Sequence, residues 1–155
     1  METTFELAPA ELAAWRGMLR VHAALVKALD AELIAQHDLP LHSYEVLIYL
    51  QAADDRRLRM AELADALLLS RSGMTRLVDR LERAGYLERV ACDDDGRGMF
   101  AALTEAGQAL LAQARPTHLE GVRRRFLDHF EPAELAAMGA QWDRVLGAQD
   151  LTRGD

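Results

Sequence analysis

The sequence predicts a mainly α-helical chain with a small β-hairpin wing, bracketed by helices from both chain ends. Three observations carry that expectation. Half of the 155 residues are hydrophobic yet only 6% are aromatic, with Ala and Leu abundant, a composition that favours helix. Apolar residues recur in steps of three and four toward both ends of the chain. Between those ends, residues 63–104 pack a helix, a tight turn, a second helix, a glycine stop and a Gly-tipped hairpin into one unbroken stretch.

The first helix is expected over about 9–36. Leu7-Ala8-Pro9-Ala10-Glu11 is a helix entry, with proline tolerated in the first turn and Glu11 placed to meet the helix dipole. Leu12, Trp15, Leu19, His22, Val26, Leu29 and Leu33 then form a narrow a/d seam, the pattern of a long helix that packs along another. His22 is the polar member of that seam and reads as a hydrogen-bonded core or interface histidine, with a ligand contact as the alternative. His37-Asp38-Leu39-Pro40 breaks the helix. A second helix follows from about Ser43, burying Tyr44, Val46, Leu47, Ile48 and Leu50. Asp54-Asp55-Arg56-Arg57 reads as a charged connector. Exposed loop charge is the plainer account of Arg56, Arg57 and Arg59, with contact to a nucleic-acid backbone as the other.

The central stretch carries the sharpest signals. Ser70 is placed to cap a helix whose Met74, Leu77, Val78 and Leu81 share one apolar face. Arg71, Ser72, Thr75, Arg76, Asp79, Arg80 and Arg83 fall opposite, and Gly85 ends the helix with a left-handed cap. A helix anchored on one side, with arginines and small hydroxyls on the other, suits the major groove, where arginine binds guanine or phosphate. Residues 86–91 and 99–103 read as hairpin strands around Cys92-Asp93-Asp94-Asp95-Gly96-Arg97-Gly98, and Thr104 caps the helix after them. This is the grammar of a winged helix-turn-helix. Beyond Thr104, Leu110, Leu111 and Ala114 lead to Pro116, where a kink or break is expected. Leu119, Val122 and Phe126, then Leu135, Met138, Trp142 and Val145, resume helical stripes, and Arg123-Arg124-Arg125 reads as a solvated face.

Leu63-Ala64, Ser70 to Leu81, Asp95-x-Arg97 and Leu103-Thr104-x-x-Gly107 together resemble the MarR-type winged-helix regulators, with matching spacings. The resemblance implies a homodimeric transcription regulator, more often a repressor than an activator, that binds a short inverted repeat of double-stranded DNA. The polar face of the helix that Ser70 caps puts the expected DNA contacts on Ser70, Arg71, Ser72, Gly73, Thr75, Arg76 and Arg80, and the resemblance adds Asp95 and Arg97 near the tip of the wing, with Arg97 in the minor groove. The resemblance also implies a pocket for a small aromatic or phenolic effector between the dimer helices and the winged domain. Trp15, His22, His42 and Tyr44 are the candidates to line it. Two positions depart from the family pattern. Leu68 stands where a turn glycine is usual, which implies a strained turn, and Arg59 stands where a Thr or Ser cap is common, which implies a frayed helix start.

The whole chain, 1–155, is read as one unit: dimerisation helices at about 9–36 and 117–148, a winged helix-turn-helix at about 43–104, and a connecting helix at 105–116. The net charge of −7 does not veto DNA, because residues 56–97 hold nine arginines against eight acids while the remainder is strongly acidic. No apolar run approaches the roughly 18 residues of a membrane span, and no signal leader opens the chain. With one cysteine and no chance of an intrachain disulfide, a cytoplasmic location and no membrane partner are expected. Phosphate loops, nucleotide-binding glycine fingerprints and nucleophile elbows are absent, so neither an enzyme nor a cofactor is expected. Metal sensing through His37, Asp38 and His42, redox sensing through Cys92, and a winged-helix adaptor that binds protein instead of DNA are the alternatives.

Overall fold

The computed structural model describes residues 6–91 and 98–149. Cys92, Asp95 and Arg97 therefore lie outside the described residues. In chain order the elements are α1 (Pro9–His37), α2 (Leu41–Ala52), β1 (Arg57–Arg59), α3 (Met60–Ala66), α4 (Arg71–Arg83), β2 (Leu87–Ala91), β3 (Met99–Leu103), α5 (Glu105–Arg125) and α6 (Pro132–Gln149). Short 3-10 turns at Asp54–Arg56 and Leu127–His129 link α2 to β1 and α5 to α6.

Three helices start by the same device. The carboxylate of Glu11 accepts the Ala8 N–H at 2.8 Å or less, at 2.7 Å, while Glu62 accepts from Arg59 and Glu134 from Glu131, each at 2.8 Å. Each glutamate sits in the first helical turn and satisfies one otherwise orphaned donor. Glu62 thus offsets the absence of a capping side chain at Arg59, and α3 forms from Met60 rather than fraying. The turn between α1 and α2 follows from Asp38, which takes a left-handed backbone at φ 51°, and from Pro40, which leads directly into α2.

The core gathers around α2. Leu33, Val46, Leu47, Leu50, Leu63, Val78 and Ala101 are fully buried, and Tyr44, Met74 and Leu87 nearly so. Ile48, expected inside, stays exposed on α2.

The sheet has three antiparallel strands in the order β1-β3-β2, so the wing is larger than a hairpin. Arg57 and Arg59, expected in a connector, are strand residues: Arg57 pairs with Ala102 and Arg59 with Phe100. The join from sheet to α5 is tight. Thr104 Oγ1 accepts the Gly107 N–H at 3.1 Å and donates to the Gly85 carbonyl at 2.7 Å. A Cβ on Gly107 would stand 2.1 Å from the Tyr86 carbonyl oxygen, so only glycine lets the start of α5 approach that strand.

Of the kink or break expected at Pro116, the break does not occur: α5 runs through it to Arg125. Proline removes the bond that its N–H would give to the carbonyl of Ala112, but both residues face solvent, where water takes its place. Packing of α5 on α1 and α2 through Leu111, Ala114 and Gly121 keeps the helix continuous past the missing bond. Nor are Arg124 and Arg125 simply solvated: both donate to the Glu32 carboxylate of α1, Arg124 at 2.7 Å, which draws that carboxyl below the usual carboxylate range.

Candidate nucleic-acid interface

Helix α4 is built as its sequence implies. Ser70 Oγ accepts the Gly73 N–H at 3.1 Å, closing the first turn. Met74, Leu77, Val78 and Leu81 are all buried, so the helix is bolted to the core along one face. At the other end Gly85 adopts φ 80°, its N–H bonds to the Glu82 carbonyl, and the Tyr86 N–H bonds to Leu81. That pair of reversed bonds is the Schellman closure, which needs a residue without a Cβ penalty.

The opposite face presents Arg71, Ser72, Thr75, Arg76 and Arg80 to solvent. Among the described residues no carboxylate lies within ion-pair distance of Arg71, Arg76 or Arg80. Thr75 Oγ1 donates to the Arg71 carbonyl at 2.9 Å and keeps its lone pairs outward. Gly73 leaves room at the start of the helix, where a Cβ would come within 3.1 Å of Ser70 Oγ. The result is a cationic ridge on a rigid support.

Arg89 of β2 fixes that ridge relative to the wing. Its guanidinium donates to Asp79 Oδ1 at 2.6 Å and to Glu82 Oε2, and its backbone N–H donates to Glu82 Oε1 at 3.1 Å. Both acids belong to α4, so their negative charges are spent internally and do not face a polyanion. These bonds hold the Arg89 guanidinium protonated more firmly than usual, the bond to Asp79 contributing most. Arg89 was legible in principle: alternation along Leu87-Glu88-Arg89 puts it on the same inward face as buried Leu87.

The four effector candidates do not converge. Trp15 and His22 are exposed on the outer part of α1, and exposed His42 pairs with Glu45 at 2.9 Å. Tyr44 reaches a cavity of about 400 Å3, lined by Ile48, Gln51, Leu111, Arg115, His118 and Leu119 among others. His118 stacks on Tyr44 with ring centroids 4.5 Å apart. Burial pushes the Tyr44 phenol up and the His118 imidazole down, so both rings stay neutral, and His118 Nδ1 is buried without a hydrogen-bond partner among the described residues. His118 follows Leu111 and Ala114 at helical spacing, a signal of its inward direction that was available in the sequence. His37 Nε2 instead meets Thr117 Oγ1 at 2.8 Å, and the described residues hold no group of three metal-ligating side chains.

This geometry has well-defined relatives. A MarR family model matches residues 37–98, from the end of α1 into the wing. The crystal structure of AbsC, a MarR family transcriptional regulator from Streptomyces coelicolor, superposes with a TM-score of 0.88 at 32% identity, over 94% of this chain and 97% of that one. Sco3205, another MarR family regulator of that organism, was solved in complex with DNA. It is 33% identical, with a TM-score of 0.88 over 93% of this chain and 94% of that one. The transcriptional repressor MprA of Escherichia coli is 36% identical over 73 residues, which are 47% of this chain and 42% of that protein. With the capped, arginine-faced α4, the three-stranded wing and a near-full-length match to such regulators, the chain belongs to the MarR family of DNA-binding transcriptional regulators and is not an enzyme.

Proposed function

We propose that the chain is a homodimeric repressor that binds an inverted repeat through α4 and is released by a small effector. The observation that carries this reading is the ridge of Arg71, Arg76 and Arg80 on a helix whose own acids are engaged by Arg89. Arg76 and Arg80 would read or grip the major groove, Ser70, Ser72, Gly73 and Thr75 would let the backbone approach phosphate, and Asp95 and Arg97 would work from the wing tip. Repression is favoured by the likeness to MprA, which is named a repressor.

Dimerisation is supported by what one protomer leaves uncovered. Trp15 is 53% exposed, Leu19 47%, Trp142 44% and Val145 48%, all on α1 and α6. Large apolar side chains at that density mark an interaction face. A twofold axis through it would set two copies of α4 one DNA turn apart, matching an inverted repeat. The unit would then comprise the winged domain at about 43–104 between dimerisation segments at 9–36 and beyond 117. The cavity beside Tyr44 and His118 is the effector site that the geometry favours, since its two neutral rings and Arg115 suit a small aromatic acid. No helix among the described residues is long and apolar enough to cross a membrane, which accords with action on DNA in the cytoplasm.

Replacing Leu19 and Trp142 together by Glu tests the dimer. Sedimentation is expected to show monomers with intact helicity, and specific DNA binding is expected to vanish with the dimer. An unchanged dimer would remove α1 and α6 from the interface.

A further inference from the structure

We propose that the outer face of the three-stranded sheet is a second DNA-contacting surface, on which Arg57 and Arg59, braced on Phe100, grip backbone phosphate flanking the segment that α4 faces. The proposal rests on operator binding by α4 and extends the contact beyond it.

Strand register puts the three side chains together. β1 pairs with β3 as Arg57 with Ala102, Leu58 with Ala101 and Arg59 with Phe100. Ala101 is fully buried and Leu58 packs against the core, so the period of two turns Arg57, Arg59 and Phe100 to the other face. The guanidinium carbons lie 4.8 Å and 5.4 Å from the centroid of the Phe100 ring. Two cations thus share one ring. Among the described residues Arg59 has no carboxylate within ion-pair distance, and Arg57 has only the exposed Asp55 at 3.7 Å. Stacking restricts the two long side chains before any ligand arrives, so less entropy is lost when they bind an anion.

The direction of this face selects the ligand. The inner face is tied to α4 through Arg89, Asp79 and Glu82, so the outer face lies on the far side of the wing from α4. Phosphates within its reach belong to duplex outside the stretch beneath α4. Arg59 also precedes the first residue of α3, and Phe100 is the second residue of β3, so the pair stands beside the start of α3 at the tip end of the sheet. Glu88 is the acid of this face, across Ala102 from Arg57, at the end of β2 remote from the wing tip. The Arg59–Phe100 end is therefore the more positive and the nearer to DNA. Guanidinium forks match phosphate geometry, and such contacts add affinity without sequence preference.

The test uses the full chain and a duplex recovered by in vitro selection, trimmed to its core or extended by roughly ten base pairs on each side. For the wild type the extended duplex is expected to bind about tenfold more tightly, and Arg57→Gln/Arg59→Gln is expected to lose that gain, with a log–log salt slope shallower by about two per protomer. The same variant should bind the core duplex as the wild type does. Phe100→Leu keeps both charges, so its slope should hold while affinity for the extended duplex falls about two- to fivefold, as expected for a lost cation–ring contact. It also decides the matter should the double variant fail to fold. Wild-type affinity and slope on the extended duplex in these variants would overturn the proposal. If the wild type binds neither duplex, operator binding by α4 itself is wrong, and the proposal falls with it.

Discussion

At the scale of single residues, Leu68 makes a costly backbone choice. It adopts φ 52° in the turn between α3 and α4, and its side chain is 69% exposed. Asp38, Asp55 and Arg56 share that left-handed region, and the short polar side chains of the aspartates tolerate it better than leucine or arginine does. The exposed side chain returns little packing to offset the strain. Leu68→Gly should therefore raise stability by about 1 kcal/mol despite the added freedom of the unfolded chain, with urea unfolding as the measurement. A lower midpoint would show that the turn is not strained. The expectation of strain was legible in the sequence because turn chemistry is local. The partners of Arg89 were not, because Asp79 and Glu82 reach it only once β2 has folded back on α4.

Among elements, those with local punctuation were the legible ones. Helix α4 has its cap at Ser70, its apolar face and its stop at Gly85 within sixteen consecutive residues, 70–85, and it forms as read. Strand β1 was missed because Arg57-Leu58-Arg59 is short and charged, and only pairing with β3, over forty residues away, makes it a strand. The break expected at Pro116 failed for a related reason: tertiary packing of α5 on α1 and α2 outweighs one missing bond. That bond still has a cost. Pro116→Ala should stabilise the protein by about 1–3 kcal/mol, since the site is exposed and the helix already exists. A thermal melt that shows no gain would mean that proline's stiffening of the unfolded chain cancels the lost bond.

For the whole molecule, the division of labour follows from where the apolar surface goes. The winged domain buries its stripes internally, whereas α1 and α6 leave Trp15, Leu19, Trp142 and Val145 exposed. The narrow seam led to the expectation that α1 packs along another helix, and of its seven members Leu29 and Leu33 are buried in this chain. The two faces of the candidate site were legible where charge and helix period coincide, on α4, whose apolar side is buried and whose arginine side is exposed. Of the effector candidates Tyr44 lines the cavity against α5, whereas Trp15, His22 and His42 are exposed, since which side chains meet at a pocket depends on how distant elements pack. Base reading by α4 is probed most directly at Arg76, which stands opposite the buried Met74-Leu77-Val78-Leu81 face. The decisive measurement is fluorescence anisotropy of wild type and Arg76→Ala on the selected operator and on a scrambled duplex. A loss of about 1–3 kcal/mol is expected on the operator, with little change on scrambled DNA and relaxed preference at one or two base pairs. Equal losses on both duplexes would contradict base reading and make Arg76 a phosphate clamp.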